Sequence, residues 1–411
     1  MMKSHLFGRS QRILWAVLLL AGVLALSSCS KPNTPAPIPQ PTWTPTVVSA
    51  ETDRLPTHTP SPTSAPTSTP THTITVIPSP TLSPLPTVTP TPEATPFPPG
   101  PASKLGVFVG RNDPQLFDLL HTGNLAMVKT LEYDANFVTE IKQIDADTFV
   151  VARFTPLPLP DFDHWDPIAA AHAFVDQLLP IATHPQRLAA IDCWESYNEP
   201  VLSTQEQMAS YARFEAERTR LLAEHGIASC IGNFSVGHPE LDLWPAFFPA
   251  LQAAKEHHGF LALHEYSAPY LWFGSGPHQN DPGANEGDEG WLTLRYRKVY
   301  RQYLQPADLA IPLVITETGI DGLVPNRPGD ASARGWRDFI PFWQEESAFQ
   351  RTPFGFYVEQ LAWYDAELQK DDYVIAASIF VLAGPAGWQS YDIGGPGLDI
   401  LKQYLSVHPQ P

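Results

Sequence analysis

The chain is poor in cysteine, in basic side chains and in long apolar runs. Three cysteines in 411 residues are too few for a disulfide scaffold. Lys and Arg total 25 against 43 Asp and Glu, a formal net charge of -18. The charge is uneven: residues 1–30 carry about +3, residues 31–100 about -1, and residues 101–411 about -20. So acidic a domain lacks the cations that displace counterions from nucleic acid. It also repels anionic membrane surfaces and polyanionic substrates, so a neutral substrate is expected. The longest apolar run, Ile13 to Leu26, is about 14 residues, too short to read as a membrane-spanning helix. No dinucleotide fingerprint follows the first candidate strand, where Val109-Gly110-Arg111-Asn112 stands. No His follows Glu265 at metalloprotease spacing, and no metal or cofactor is expected.

What is present divides the chain into three. Lys3, Arg9 and Arg12 precede the apolar run, the pattern of an export signal. The run closes on Leu26-Ser27-Ser28-Cys29. This resembles the lipobox of bacterial lipoproteins, which implies that residues 1–29 are a lipoprotein signal and that Cys29 carries the lipid. Residues 31–100 hold about 20 prolines and about 18 threonines. Proline fixes φ and removes a donor, and little here is apolar enough to bury, so residues 30–102 read as a disordered, polyproline-rich linker. The expected location is the cell surface or periplasm, with a lipid anchor in the membrane.

From residue 103 the texture changes to short β-branched runs alternating with helical stretches. Eight candidate strands are Leu105–Val109, Leu125–Thr130, Thr148–Phe154, Ala190–Tyr197, Ile227–Phe234, Phe260–Tyr266, Ile311–Thr316 and Ala376–Leu382. Helical patterns fall at Pro167–Leu179, Thr204–His225, Trp244–His257 and Trp291–Tyr303. Alternating strands and helices imply a parallel sheet, and eight units over 103–411 imply a (β/α)8 barrel. An open doubly wound sheet is the alternative. Cys193 and Cys230 fall on neighbouring candidate strands; they can bridge in an oxidising compartment, but two buried free thiols are the expectation.

A barrel carries its chemistry at the C-terminal ends of its strands. The fourth run ends in Trp194-Glu195-Ser196-Tyr197-Asn198-Glu199-Pro200 and the seventh in Thr316-Glu317-Thr318-Gly319. Strand alternation puts Glu195, Tyr197 and Glu199 on one face unless a bulge intervenes. Pro200 cannot extend the ladder, so Glu199 is expected at the barrel mouth. One such carboxylate alone could be a salt-bridged barrel residue, but two, at the ends of strands four and seven, point to a catalytic pair with pKa values set apart by environment.

These segments resemble the signature strands of clan GH-A, the (β/α)8 retaining glycoside hydrolases. The matching features are Asn-Glu-Pro after strand four and a Glu closing strand seven, about 118 residues later. The resemblance implies that Glu199 is the general acid/base and Glu317 the nucleophile, and that Asn198 holds a sugar hydroxyl. His264-Glu265-Tyr266 is similar to the clan's His-x-Tyr on strand six, with the tyrosine hydroxyl steadying the nucleophile. Trp388, after the eighth run, would floor the sugar ring. The chain departs from the clan in having no arginine at the end of strand two. Lys129 lies there, and Arg153 lies on strand three; either side chain could supply the positive charge. Tyr270 and Trp272 stack on sugar or fill a loop. The loops Gly283–Gly290 and Asn326–Arg334 are expected to shape the cleft.

The resulting expectation is a monomeric glycosidase domain acting on the O-glycosidic, β-linked bonds of an external oligo- or polysaccharide. One alternative is a catalytically inactive, carbohydrate-binding lipoprotein on the same scaffold. A metal-dependent barrel hydrolase would need a ligand pair such as His-x-His on strand one, where the sequence reads Leu105-Gly106-Val107-Phe108-Val109.

Overall fold

The computed structural model describes residues 97–155, 157–276, 288–346 and 352–411. The expected signal segment, Cys29 and residues 30–96 of the expected linker lie outside the described residues, as do 283–287 of the first cleft loop.

Eight strands are present: β1 (Leu105–Val109), β2 (Met127–Thr130), β3 (Phe149–Arg153), β4 (Cys193–Glu195), β5 (Cys230–Phe234), β6 (Phe260–Ser267), β7 (Leu313–Ile320) and β8 (Val374–Leu382). Their spatial order is β4-β3-β2-β1-β8-β7-β6-β5, with every paired neighbour parallel. The ends of this sheet meet, so the architecture is a nearly closed (β/α)8 barrel. Among the described residues the β4/β5 seam is thin. One parallel bridge, Trp194 to Ser229, joins the strands. Trp194 N donates to Ala228 O at 3.1 Å, and Glu199 N donates to Asn233 O at 3.0 Å. The seam also carries a disulfide between Cys193 and Cys230. The expectation of free thiols is therefore wrong: the strands run side by side with Cα atoms 5.7 Å apart, within bridging range.

The strands read as continuous apolar runs because both faces are buried. Inward side chains Met127, Val151, Cys193, Cys230, Ala262, Val314 and Ala376 form one layer across the lumen. Below it the Phe149 and Phe260 rings meet edge to face at 5.0 Å. The outward faces pack on the surrounding helices in one large apolar cluster.

Ten helices, α1 (Pro114–Leu120), α2 (Ala135–Ile144), α3 (Pro167–Ala182), α4 (Pro185–Ala190), α5 (Gln205–Ala223), α6 (Trp244–Glu256), α7 (Arg295–Val299), α8 (Ile340–Glu345), α9 (Pro353–Leu368) and α10 (Pro396–Ser406), lie among the described residues. Local chemistry sets their starts. Asp113, Asp134, Asp166, Thr204 and Thr352 each accept a first-turn amide, and proline opens α1, α3 and α9. On α5, Met208, Tyr211, Ala212, Glu215, Arg218 and Leu222 recur at helical spacing on the buried face. The expected helix 291–303 is shorter: α7 begins at Arg295 and passes into a wider turn, Tyr300–Leu304. At the entrance to the domain, Phe97 packs on Tyr404 of α10 with ring centroids 5.3 Å apart, and Gly100 N donates to Val407 O at 3.0 Å. Ordered contacts thus reach ahead of residue 103.

Candidate active site

Glu317 sits within β7, which continues to Ile320 rather than ending at Thr316 as the sequence suggested. Gly319, two residues on, adopts φ +149, a region open to glycine. The Glu317 side chain points into the lumen and is buried. Its Oε1 accepts from Lys129 Nζ at 2.9 Å and from Arg153 Nη1 at 2.9 Å. Its Oε2 accepts from Tyr266 Oη at 2.8 Å. Burial alone would push this carboxyl up. The positive field of His264, Lys129 and Arg153, with the Lys129 hydrogen bond, outweighs burial and holds it well below the usual carboxylate range.

The sequence left open whether Lys129 or Arg153 supplies the charge, and the structure shows both doing so. Lys129 is fully buried and stands 3.0 Å from Glu195 as well as 2.9 Å from Glu317, over the Phe108 ring at 4.9 Å. Burial pushes the Glu195 carboxyl up, but Lys129, Arg153 and His264 hold it below its ordinary value. Lys129 and Arg153 therefore offset Glu195 and Glu317, two cations against two carboxylates, which is what allows so many ions to be buried together.

Glu199 is the more open carboxyl, with about 35% of its side chain exposed. Strand β4 ends at Glu195, and the chain then turns so that Glu199 takes φ +48. The expected shared face of Glu195, Tyr197 and Glu199 does not form, because the extended backbone stops at Glu195. Glu195 points inward, whereas the Tyr197 ring lies outward against Phe174 of α3 and Phe214 of α5, at 5.7 and 5.0 Å. Glu199 reaches the lumen through the turn. Its Oε1 lies 2.8 Å from His264 Nδ1, and His264 Nδ1 is 3.6 Å from Glu317 Oε2. One oxygen of Glu199, one ring nitrogen of His264 and one oxygen of Glu317 all lie within 4.8 Å of one another.

Alternation does hold on β6. His264 and Tyr266 face the carboxyl pair. Glu265 between them faces outward and accepts from Leu294 N, Tyr296 N and Tyr364 Oη at 2.8, 2.9 and 2.7 Å. Asn198 Oδ1 accepts from Arg153 Nη1, so one guanidinium links Asn198 to Glu317. Trp388 is half-buried and packs on Phe380 at 4.8 Å and on Phe108 at 6.2 Å. Phe380 in turn touches the rings of Tyr266 at 6.1 Å and Tyr391 at 5.3 Å. This aromatic wall was legible only at Trp388. Tyr270 and Trp272 stack on each other at 5.3 Å and pack against Phe356 of α9, filling a loop rather than lining the lumen.

Glu199, His264 and Glu317 lie at metal-ligand spacing, but the donor set does not fit a cation. Both Glu317 oxygens already accept hydrogen bonds, and two fixed cations stand 2.9 Å from one of them. What the arrangement offers instead is an anionic carboxylate and a solvent-reachable carboxyl facing one small volume.

No protein-family model and no curated protein matches this chain. Among solved structures it is similar to the β-glucuronidase of Ruminococcus gnavus at 11% identity, covering 75% of this chain and 50% of that one, with TM-score 0.47. The β-D-glucuronidase of Dictyoglomus thermophilum gives 11% identity, 75% and 51% coverage, and TM-score 0.44. A GH128 subgroup II endo-β-1,3-glucanase of Pseudomonas viridiflava gives 12% identity, 75% and 98% coverage, and TM-score 0.36. The chain thus spans about half the length of the two glucuronidases.

Proposed function

We propose that this protein is a retaining glycoside hydrolase, with Glu317 as nucleophile and Glu199 as general acid/base. One observation carries the reading: a buried carboxyl and a part-exposed one face each other, with one oxygen of each within 4.8 Å. Retention uses carboxyls about 5–5.5 Å apart, whereas inversion leaves roughly 6.5–9.5 Å for a water. Glu317 is buried among cations that keep it ionised, as a nucleophile must be; Glu199 is part-exposed, as a group that meets both leaving oxygen and water must be.

In the first step a Glu317 oxygen bonds to the anomeric carbon while Glu199 gives its proton to the departing glycosidic oxygen. In the second, Glu199 takes a proton from water, the water oxygen bonds to the anomeric carbon, and Glu317 leaves as carboxylate. Tyr266, Lys129 and Arg153 fix the attacking carboxylate, and His264 orients Glu199. Asn198, braced by Arg153, is placed to hold a sugar hydroxyl, and Trp388 to take a ring face. The acidic domain favours a neutral glycan, and β-linked external oligo- or polysaccharide is the proposed substrate. Anchoring at Cys29 on a Pro/Thr-rich tether would present the barrel outside the cytoplasm, and the Cys193–Cys230 disulfide supports an oxidising location.

The test is hydrolysis of a panel of aryl β-glycosides followed by proton NMR of the first-formed anomer. A β product from a β substrate is expected. An α product, or no turnover of any member by a folded preparation, overturns the proposal.

A further inference from the structure

Glu317 is followed four residues later by another carboxyl that the clan resemblance does not assign. Asp321 directly follows β7; its backbone amide donates to Ser267 O at 3.1 Å, and the chain there bridges to Gly335. Its Oδ1 is occupied twice, accepting from Leu323 N at 2.8 Å and from Tyr391 Oη at 3.0 Å. Among the described residues Oδ2 has no hydrogen-bond partner. Tyr391 is itself seated on Phe380, the ring that touches Tyr266 and Trp388. Asp321 therefore lies on the rim where the β7 and β8 loops meet the aromatic wall. Burial, and then the neighbouring charge of Glu199, push its carboxyl up to about 6 against the Leu323 and Tyr391 hydrogen bonds.

We propose that Asp321 is a substrate-binding residue whose free Oδ2 accepts a hydroxyl of the bound sugar and so sets which sugar the site prefers. This rests on the glycosidase reading and extends it to specificity. Two donors on one oxygen lock the carboxyl plane and present the other oxygen in a fixed direction. A preorganised acceptor of this kind discriminates strongly against a ligand lacking the matching hydroxyl, because the acceptor is then left unpaired. The backbone needs only Oδ1, which an asparagine keeps.

Asp321→Asn separates the two roles. It preserves an acceptor for Leu323 and Tyr391 and replaces Oδ2 with an amide that cannot accept. The experiment compares kcat/KM on the best aryl glycoside with that on its monodeoxy analogues, in wild type and Asp321→Asn, with thermal melts of both. Wild type should disfavour one analogue by about 10- to 100-fold relative to the parent. Asp321→Asn, whose amide N–H can only donate to that hydroxyl without charge assistance, should lower that ratio by about fivefold or more at unchanged melting temperature. An unchanged ratio overturns the assignment even if both rates fall, since a merely structural fault slows parent and analogue alike. A wild type that discriminates against no analogue also overturns it. Failure of the glycosidase reading is separate: wild type would then turn over no glycoside at all. Tyr391→Phe, which frees one clamp on Oδ1, should weaken the discrimination part-way; full discrimination there counts against the locking argument.

Discussion

Lys129 Nζ stands 2.9 Å from Glu317 Oε1, with the lysine side chain wholly removed from water. The same ammonium serves Glu195 at 3.0 Å. Removing one partner of a buried ionic group leaves the others uncompensated, at a cost of about 3–5 kcal/mol. Lys129→Met should therefore lower unfolding free energy by about that amount in urea titrations, besides removing activity. A loss below about 1 kcal/mol would mean that the cluster is far less desolvated than its geometry indicates.

The two carboxyls should respond differently to removal. On the proposed role of covalent nucleophile, Glu317→Ala should lower turnover by several orders of magnitude. Added azide should then restore some rate by direct attack, giving glycosyl azide of inverted configuration. With Glu199→Ala, azide should instead trap the glycosyl enzyme and give retained configuration. NMR of the azide products decides: the reverse pattern would exchange the two roles, and no azide adduct from either variant would remove both.

The acid side of the stability profile should carry the signature of Glu317. Folded, its carboxyl titrates below the usual range; unfolded, it titrates near about pH 4.3. The folded state thus binds fewer protons across that window. The stabilisation is complete above the unfolded value and disappears as pH falls toward the folded one. The melting temperature of wild type should drop on acidification below about pH 5, and that of Glu317→Gln should drop less steeply. Parallel slopes would mean that the site does not depress this carboxyl.

Cys193 and Cys230 are 37 residues apart in sequence. Chain-entropy arguments give a bridge closing such a loop about 4 kcal/mol, a figure that depends on the reference state. Cys193→Ala combined with Cys230→Ala should lower stability by up to that amount and reduce kcat. The kinetic effect follows from geometry: the bridge lies on the seam across which Glu199 N donates to Asn233 O. An equally stable variant would show that the remaining seam contacts suffice.

The eight strands are legible because burial on both faces fills them mostly with apolar residues, against which basic side chains such as Lys129 and Arg153 stand out. The turn after β4 is not legible. Alternation presupposes extended backbone, and nothing in Tyr197-Asn198-Glu199 announces a positive φ at a glutamate. The extension of β7 past Glu317 is hidden because Thr318 and Gly319 are polar or small. The Cys193–Cys230 pairing depends on which strands become neighbours when the sheet closes, a relation between distant residues. Phe380, Asp321 and Tyr391 carry no local signal either; they acquire meaning when the β7 and β8 loops converge.

The balance of two cations against two carboxylates bears on how a glycosyl enzyme would be discharged. If Glu317 forms an ester, its negative charge is gone, and Lys129, Arg153 and Glu195 together carry one surplus positive charge in a largely buried region. That surplus is relieved when the ester breaks. The second half of the cycle would thus draw driving force from the same two cations that hold the resting carboxylate in place. Their count, two against two, would keep the covalent intermediate from becoming a resting place.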